Sequence, residues 1–482
     1  MRKIGALGII LILLGSFVHA EESEAFSLGI RNSFRFDNQA SDQKEGKTVY
    51  PEEPIPRRPG TALAEVVAIN VFVWAMGQYV LDQEEGAHSY INLDTMRDNF
   101  RDWFYWDPNH FNTNFYAHPY HGNLYFNAAR TNGLDFWSSS FATLLGSFMW
   151  EFVMEHHQPS INDWVMTSTG GVFLGEVLFR YSSLVWDDSA TGFNRVWREV
   201  VGGLLNPVGV LNRLIRGDTA RVRSSKNQLT APTENILSFA GNISSGNSNM
   251  EDSTLGGGLT FLSQYGETFK GAGESRKPFD FFLFQLGLRN TDQLYFSIYA
   301  YGLLAGKELE TGDKQNHMIG LFQHYDYITN ETIRLGGTSF CPGIFSQFYW
   351  GKKSRLSFIG QAGWLMLGAS NNEYIGTGEG SAALGRDYNY GTGFTIKADV
   401  GLELNRFGNY IARFAHYSIY TVEGIDGHDR LNLFQFRMTI PVWNAWGVGL
   451  VYSMYRRNSH YVEYPDIQQR LYSWNVFLSV RF

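Results

Sequence analysis

From about residue 254 to the end of the chain, apolar and polar residues alternate with a period of two. In the last such stretch Tyr472, Trp474, Val476, Leu478, Val480 and Phe482 share one face, while Ser473, Asn475, Ser479 and Arg481 share the other. Residues 392–404 set Phe394, Ile396, Ala398, Val400, Leu402 and Leu404 against Thr395, Lys397, Asp399, Gly401 and Glu403. Residues 434–442 repeat the pattern, with Phe434, Phe436, Met438, Ile440 and Val442 against Gln435, Arg437 and Thr439. Successive strand side chains point to opposite faces, so this period predicts β-strands with one apolar and one polar side. The expected strands are 254–267, 277–290, 292–305, 314–327, 331–341, 344–351, 355–369, 390–404, 408–421, 430–442, 445–457 and 470–482. A single bent strand over 331–351 and an additional strand at 234–246 are the alternatives. Short and long connections alternate, as turns at one end of a barrel and loops at the other should, except at the tight 342–343 connection (Pro342-Gly343) on the long-loop side. The longest loop, 370–389, is expected outside the cell, with the C-terminus on the turn side.

The polar face decides the environment. Lys397, Asp399, Glu403, Arg413, Arg437 and Arg481 fall on it, and such charges are tolerated in a wet or ion-paired lumen but not against lipid. A soluble β-sandwich would turn its apolar face inward and would not need this many aromatics. The fold class expected is therefore an α+β membrane protein: an N-terminal helical domain and a C-terminal antiparallel transmembrane β-barrel of about 12 strands, with 10–14 the range considered. Bacterial outer-membrane barrels resemble one another in ending on an aromatic residue after alternating apolar positions, a signal read by the barrel-insertion machinery. Tyr472, Trp474 and Phe482 match it.

Upstream, residues 61–217 read with a helical period. Helices are expected over Ala62–Leu81, from Leu134 to about His157, from a Ser160 cap to about Ser182, and from Phe193 to Leu205. Asn70, Trp74 and Gln78 recur on one stripe of the first. Asp163 follows Ser160 at the spacing of a capping box, and Gly170, Gly171 and Gly175 permit close approach of another helix. These helices are apolar on too many faces for a free soluble domain. They suit packing on one another or on the inner surface of an outer membrane. Ala62–Leu81 is just long enough to span the inner membrane, but a downstream barrel makes that topology awkward.

Residues 1–20 have the grammar of a secretory signal peptide: basic Arg2 and Lys3, an apolar run, then Val18-His19-Ala20. Residues 21–60 form a Pro-rich tether and 218–253 a linker, leaving 254–482 to the barrel. Cys341 is alone, which excludes an internal disulfide framework. The net charge is −8, and −10 once Arg2 and Lys3 are removed with the leader, which argues against a nucleic-acid partner. Aromatic residues reach 16% and charged residues only 18%, a balance that suits a barrel half in lipid.

The residues with the most chemistry lie between 106 and 181. Five of the 12 histidines (110, 118, 121, 156 and 157) fall there beside Glu151, Glu155 and Asp163. The run includes His118-Pro119, His121-Gly122, Ala129-Arg130, Phe136-Trp137, Trp150-Glu151, Pro159-Ser160, Asp163, Gly170-Gly171, Gly175-Glu176 and Arg180. It resembles an uncharacterised family of Gram-negative outer-membrane proteins. That family, a domain of unknown function, has an HPxxG…AR…WE…PSxxD…GE…R helical segment followed by a β-barrel. The resemblance implies the two-part architecture, and no activity, substrate or catalytic residue comes with it.

Read on their own terms, these residues allow three chemistries. His118 or His121 with Glu151 or Asp163 is the candidate catalytic set, a base oriented by a carboxylate beside a serine such as Ser147, although no G-x-S-x-G elbow accompanies it. Metal-ligand types are present but match no recognised zinc spacing, so neither a metal nor another cofactor is expected. The third and favoured reading makes Arg130, Glu155, Glu176 and Arg180, with Glu151, ion pairs between helices, and His118-Pro119 and His121-Gly122 turn residues. The function expected is a channel, transport or envelope-maintenance component of the outer membrane with a periplasmic helical domain. An envelope hydrolase acting on lipid or cell wall and a structural anchor or assembly platform are the alternatives, and the balance is against an enzyme. Outer-membrane lipids, the insertion machinery and a periplasmic protein are the partners considered.

Overall fold

The computed structural model describes residues 56–81, 91–222, 231, 233–246, 253–271, 276–309, 312, 314–350, 354–375 and 386–482. The leader 1–20 and most of the tether 21–60 lie outside these residues, as do parts of the linker and of loop 370–389. The chain divides into two compact units, a helical one and a barrel, the latter also taking in residues Pro108–Phe111.

The helical unit contains α1 (Pro59–Met76), α2 (Leu93–Asp102), α3 (His118–Arg130), α4 (Phe136–Met149), α5 (Ile161–Val165), α6 (Gly171–Val185), α7 (Gly192–Leu205) and α8 (Pro207–Arg216). Single π-helical turns follow or precede several of them, at Gly77–Leu81, Thr113–Ala117, Trp150–Met154 and Met166–Gly170. The expected turn at His118-Pro119 and His121-Gly122 is corrected: both pairs lie in α3, whose first turn holds Pro119. The π-helical turn Thr113–Ala117 runs into α3 with helical backbone at Ala117 and His118, so Pro119 is carried next to a π-bulge, a place where helices accommodate proline. Gly122 belongs inside the helix for a different reason. A side chain at Gly122 would overlap the Thr167 carbonyl, and one at Gly171 would overlap the Gly122 backbone. The small residues let α3 and α6 cross backbone to backbone.

One polar residue stitches α1 to its neighbours. Asn70, buried on the apolar α1, donates to the carbonyls of Val66 (3.1 Å) and Gly146 (3.3 Å) and accepts from the Tyr125 hydroxyl (2.7 Å). Much of the rest of the unit's surface is apolar. Leu63 and Phe72 on α1, Trp137 and Phe141 on α4, and Phe193 and Ile215 on α7 and α8 are all exposed. Pro59–Val80 is also long and apolar enough to cross a bilayer by length and composition.

The second unit is a closed antiparallel barrel of 12 strands in sequence order, β1 (Thr233–Gly246) closing against β12 (Ile467–Arg481). Between them run β2 (Thr254–Tyr265), β3 (Phe282–Asn290), β4 (Leu294–Leu309), β5 (Gln315–Thr329), β6 (Arg334–Trp350), β7 (Ser354–Asn371), β8 (Tyr388–Leu404), β9 (Gly408–Glu423), β10 (Gly427–Trp443) and β11 (Trp446–Tyr461). Closure leaves no unpaired sheet edge. The polarity is that of a membrane barrel. Phe394, Ile396 and Val400 on β8 are exposed outward, while Thr395, Lys397 and Asp399 are buried inside. Exposed aromatics include Trp350, Phe407, Trp443 and Trp446 at one end and Trp364 and Tyr420 far along β7 and β9, with Phe239, Phe414 and Trp474 mid-strand between them. Aromatic girdles mark the two interfaces of a bilayer.

Two strand assignments are corrected. The barrel begins at Thr233 rather than 254, so β1 occupies what was read as linker. Residues 331–341 and 344–351 are one strand, β6, not two. Pro342 has no N–H to give, so pairing with β7 lapses between Phe340–Trp364 and Gly343–Gln361, but the register on either side is the same and the strand runs through. The strand count survives both changes, whereas the sidedness upstream does not. β4 now ends at the same barrel end as β6 and the C-terminus, and β3 and β5 end where β7 does. One falsely split strand inverts every connection before it.

Candidate functional site

In the helical unit the histidine-and-carboxylate cluster is built by a β-bridge and three π-helical turns. Tyr105 makes a parallel bridge to Ser160, with its N–H on the Pro159 carbonyl (2.9 Å) and its carbonyl taking the Ile161 N–H (3.0 Å). That bridge brings Asp107 to the start of α5. The π-turn Thr113–Ala117 then delivers His118 as the first residue of α3. The π-turns Trp150–Met154 and Met166–Gly170 present Glu151 and Thr167. An added residue in a helical turn re-aims side chains without ending the helix, and such turns recur at functional sites.

His118 Nε2 stands 3.3 Å from Asp163 Oδ1, and its Nδ1 stands 3.3 Å from the Thr167 hydroxyl. Asn162 knits the cluster together: its Nδ2 donates to Asp163 Oδ1 (2.8 Å), and its Oδ1 accepts from the Asp107 N–H (2.9 Å) and the Ser160 hydroxyl (2.9 Å). Ser160 caps α5 by accepting the Asp163 N–H (3.4 Å). The expected capping box is made only on that side, because the Ser160 N–H donates to Glu151 Oε2 (2.8 Å). Asp163 is thereby turned toward His118.

Asp107, Glu151 and Asp163 are all buried. Burial, reinforced by Asp163 and Glu155, pushes the Asp107 carboxyl up to about 7 against a counteracting His118. Burial also holds the Glu151 carboxyl well above the usual range, with Glu155 and Asp163 adding to the effect. Of the four candidate catalytic residues, His118 and Asp163 meet directly and Glu151 joins through Ser160. His121 belongs to another network. Its Nε2 is 2.8 Å from the Tyr125 hydroxyl, which binds Asn70, and its ring packs on Trp150. Burial, aided by His118, pushes His121 down to about 3. Ser147 is buried in α4. Asp107 was outside the candidate set. Donor atoms of Asp107, His118 and Asp163 all lie within 4.8 Å of one another, although their spacing in sequence matches no metal motif.

The ion-pair candidates divide. Arg130 Nε and Arg180 Nε each donate to Glu176 at 2.8 Å, one to each carboxylate oxygen. Burial alone would raise Glu176, but the two guanidinium groups hold it below the usual carboxylate range. Glu155 lies apart from them, its carbonyl accepting from Asn99 (2.9 Å) and its charge bearing on Asp107 and Glu151.

All six lumen candidates of the barrel are engaged. Lys397 Nζ donates to Asp326 (2.6 Å), lies 2.9 Å from His324 Nδ1 and sits over the rings of Tyr299 and Tyr417. Arg413 binds Asp399 (3.1 Å) and Gln285 (2.9 Å) and also covers Tyr299. Glu403 pairs with Arg355 (2.6 Å), Arg481 with Glu234 (2.8 Å), and Arg437 donates to Ser238 (2.8 Å). The Lys397 and Arg413 groups share Tyr299 and make one layer. A cavity of about 190 Å³ reaches Arg413, Asp399 and Glu403, and another of about 120 Å³ reaches Gln285 and Arg437. Of the insertion-signal residues, Tyr472 and Trp474 lie on β12, with Trp474 facing outward, and Phe482 follows it with its backbone paired to Asn235.

Residues 103–208 match a domain of unknown function, DUF3943. The DUF3943 segment contains the whole Asp107–His118–Asp163 cluster and the Arg130–Glu176–Arg180 triad. No curated protein matches the chain. Solved structures similar to it include the NanC porin, at 10% identity and a TM-score of 0.27, covering 51% of this chain and 98% of that one. The Acinetobacter baumannii outer membrane protein Omp33 is similar at 11% identity and a TM-score of 0.21, covering 52% and 99%. The Pseudomonas putida toluene transporter TodX is similar at 8% identity and a TM-score of 0.22, covering 52% and 90%.

Proposed function

We propose that the chain is an outer-membrane protein whose barrel is a narrow conduit for small polar solutes, with the DUF3943 unit on the periplasmic side. The observation that carries this reading is the inverted polarity of the barrel: apolar residues outward, and paired charges inward where they border two cavities. Lipid requires the first, and a solute path is the use of the second. The layer of Arg413, Asp399, Gln285 and Lys397, which borders both cavities, is the constriction. Arginine and carboxylate rings at close quarters select by charge and size.

Exposed apolar side chains on α1, α4, α7 and α8 support contact of the helical unit with lipid. Outer-membrane lipids and the insertion machinery, acting on the strand that ends in Phe482, are the partners of this reading. A periplasmic protein docking on the helical unit is compatible with it.

The purified full-length chain in a planar bilayer should give small unitary currents, and Arg413→Ala should raise them. A second reading, a sealed barrel that anchors the helical unit, is favoured by the fully buried Lys397–Asp326–His324 group. A bilayer silent with both proteins would establish the anchor and remove the conduit.

A further inference from the structure

We infer that Asp107, His118 and Asp163 form a divalent-cation site, with the buried Glu151 carboxylate beside it. Around a first-row divalent ion, nitrogen and oxygen ligands at about 2.1 Å stand roughly 3 to 4 Å apart. Three donor atoms already within 4.8 Å of one another need only small side-chain shifts to close on such an ion. They come from three chain segments that the Tyr105–Ser160 bridge and the π-turn before α3 draw together.

A separate observation points to a cation at the same place. Glu151 is wholly buried, one oxygen is held by Ser160, and the other, Oε1, makes no hydrogen bond. A buried carboxylate oxygen left unmet is costly, and here it lies at the same Ser160–Asn162 knot that holds Asp107 and Asp163. Positive charge placed among these carboxylates would satisfy it. The outer contacts also suit a metal. With Nε2 directed at the ion, His118 Nδ1 faces the Thr167 hydroxyl, and Asn162 steadies Asp163, the supporting bonds that fix ligand orientation.

One imidazole nitrogen with two or three carboxylate oxygens suits Zn²⁺, Mn²⁺ or Fe²⁺, whereas Cu⁺ prefers sulfur and Ca²⁺ takes six to eight oxygens. His118 and Asp163 are nearly closed to solvent, with side chains 13% and 3% exposed. A closed ligand set is that of a structural ion, which would tie the 103–107 segment to α3 and α5.

The test uses the untagged full-length protein in detergent, stripped with EDTA and then titrated with ZnCl₂ or with MnCl₂. Metal content after gel filtration and thermal unfolding are read together. One ion retained per chain and a rise in Tm are expected with at least one of the two metals. The double variant D107N/D163N should bind at least tenfold more weakly, while the exposed Asp102→Asn should bind as wild type does. Wild-type protein that retains neither metal and whose Tm ignores both would overturn the inference, as would undiminished binding by D107N/D163N. Should that double variant not fold, His118→Gln supplies the same comparison, and the wild-type result stands on its own.

Discussion

Inside the barrel Lys397 faces Asp326 and Arg413 faces Asp399, whereas in the helical unit Asp107 and Asp163 gather at the ring of His118, with Glu151 joined to them through Ser160. The helical unit can also balance charge in the barrel's manner, because Glu176 holds Arg130 and Arg180 on its two oxygens. Glu176 and Glu151 are thus both fully buried in one fold, yet their carboxyls are displaced in opposite directions. Paired buried charge is what a protein keeps for structure. Buried carboxylates collected together are costly to structure and are kept for something that binds them.

Breaking each half of this contrast should have unequal effects. Glu176→Gln leaves two guanidinium groups without their counter-charge, and should lower the stability of the helical unit by about 3 kcal/mol, the low end for a broken buried pair because Arg130 is partly exposed. Thermal or urea unfolding followed by helical circular dichroism would measure it. Glu151→Gln in EDTA-treated protein should change stability by less than about 1 kcal/mol, since the amide is nearly isosteric with a protonated carboxyl. Equal losses from the two substitutions would erase the distinction between the glutamates.

The contrast also carries a pH dependence. His121 titrates near 3 in the folded chain against about 6.5 in the unfolded one, so its contribution is complete above 6.5 and is lost as pH falls toward 3. Asp107 works with the opposite sign: raised to about 7, it favours the folded state at low pH and withdraws that support as pH rises through 7. In metal-free protein, His121→Phe should flatten the acid side of a Tm-versus-pH curve and leave the neutral side unchanged. A curve altered on both sides would mean that His121 and Asp107 form one network.

The barrel was legible in the sequence because its signal is a period of two repeated over many strands. The errors came where that signal is locally weak. Pro342-Gly343 imitates a turn although the register passes through it, and β1 is polar and glycine-flanked, with Asn235, Asn242 and Ser244 among its residues. Among the helices α2, α3 and α8 were missed, being short or, in α3, beginning with a proline and carrying a glycine that tertiary packing demands. The site was half legible. His118, Glu151 and Asp163 stand out as residue types, but their meeting depends on π-turns, which composition does not announce. Asp107 depends on a bridge between residues 105 and 160, and no local spacing encodes a contact over that distance.

The conduit itself is tested most directly by single-channel recording of the wild-type chain beside Arg413→Ala in planar bilayers. The Arg413 guanidinium lines the larger cavity and binds Gln285, which lines the other, so its removal should join them. Small wild-type currents that grow severalfold in Arg413→Ala are the predicted result. Reconstituted barrels that stay silent in both forms would contradict it.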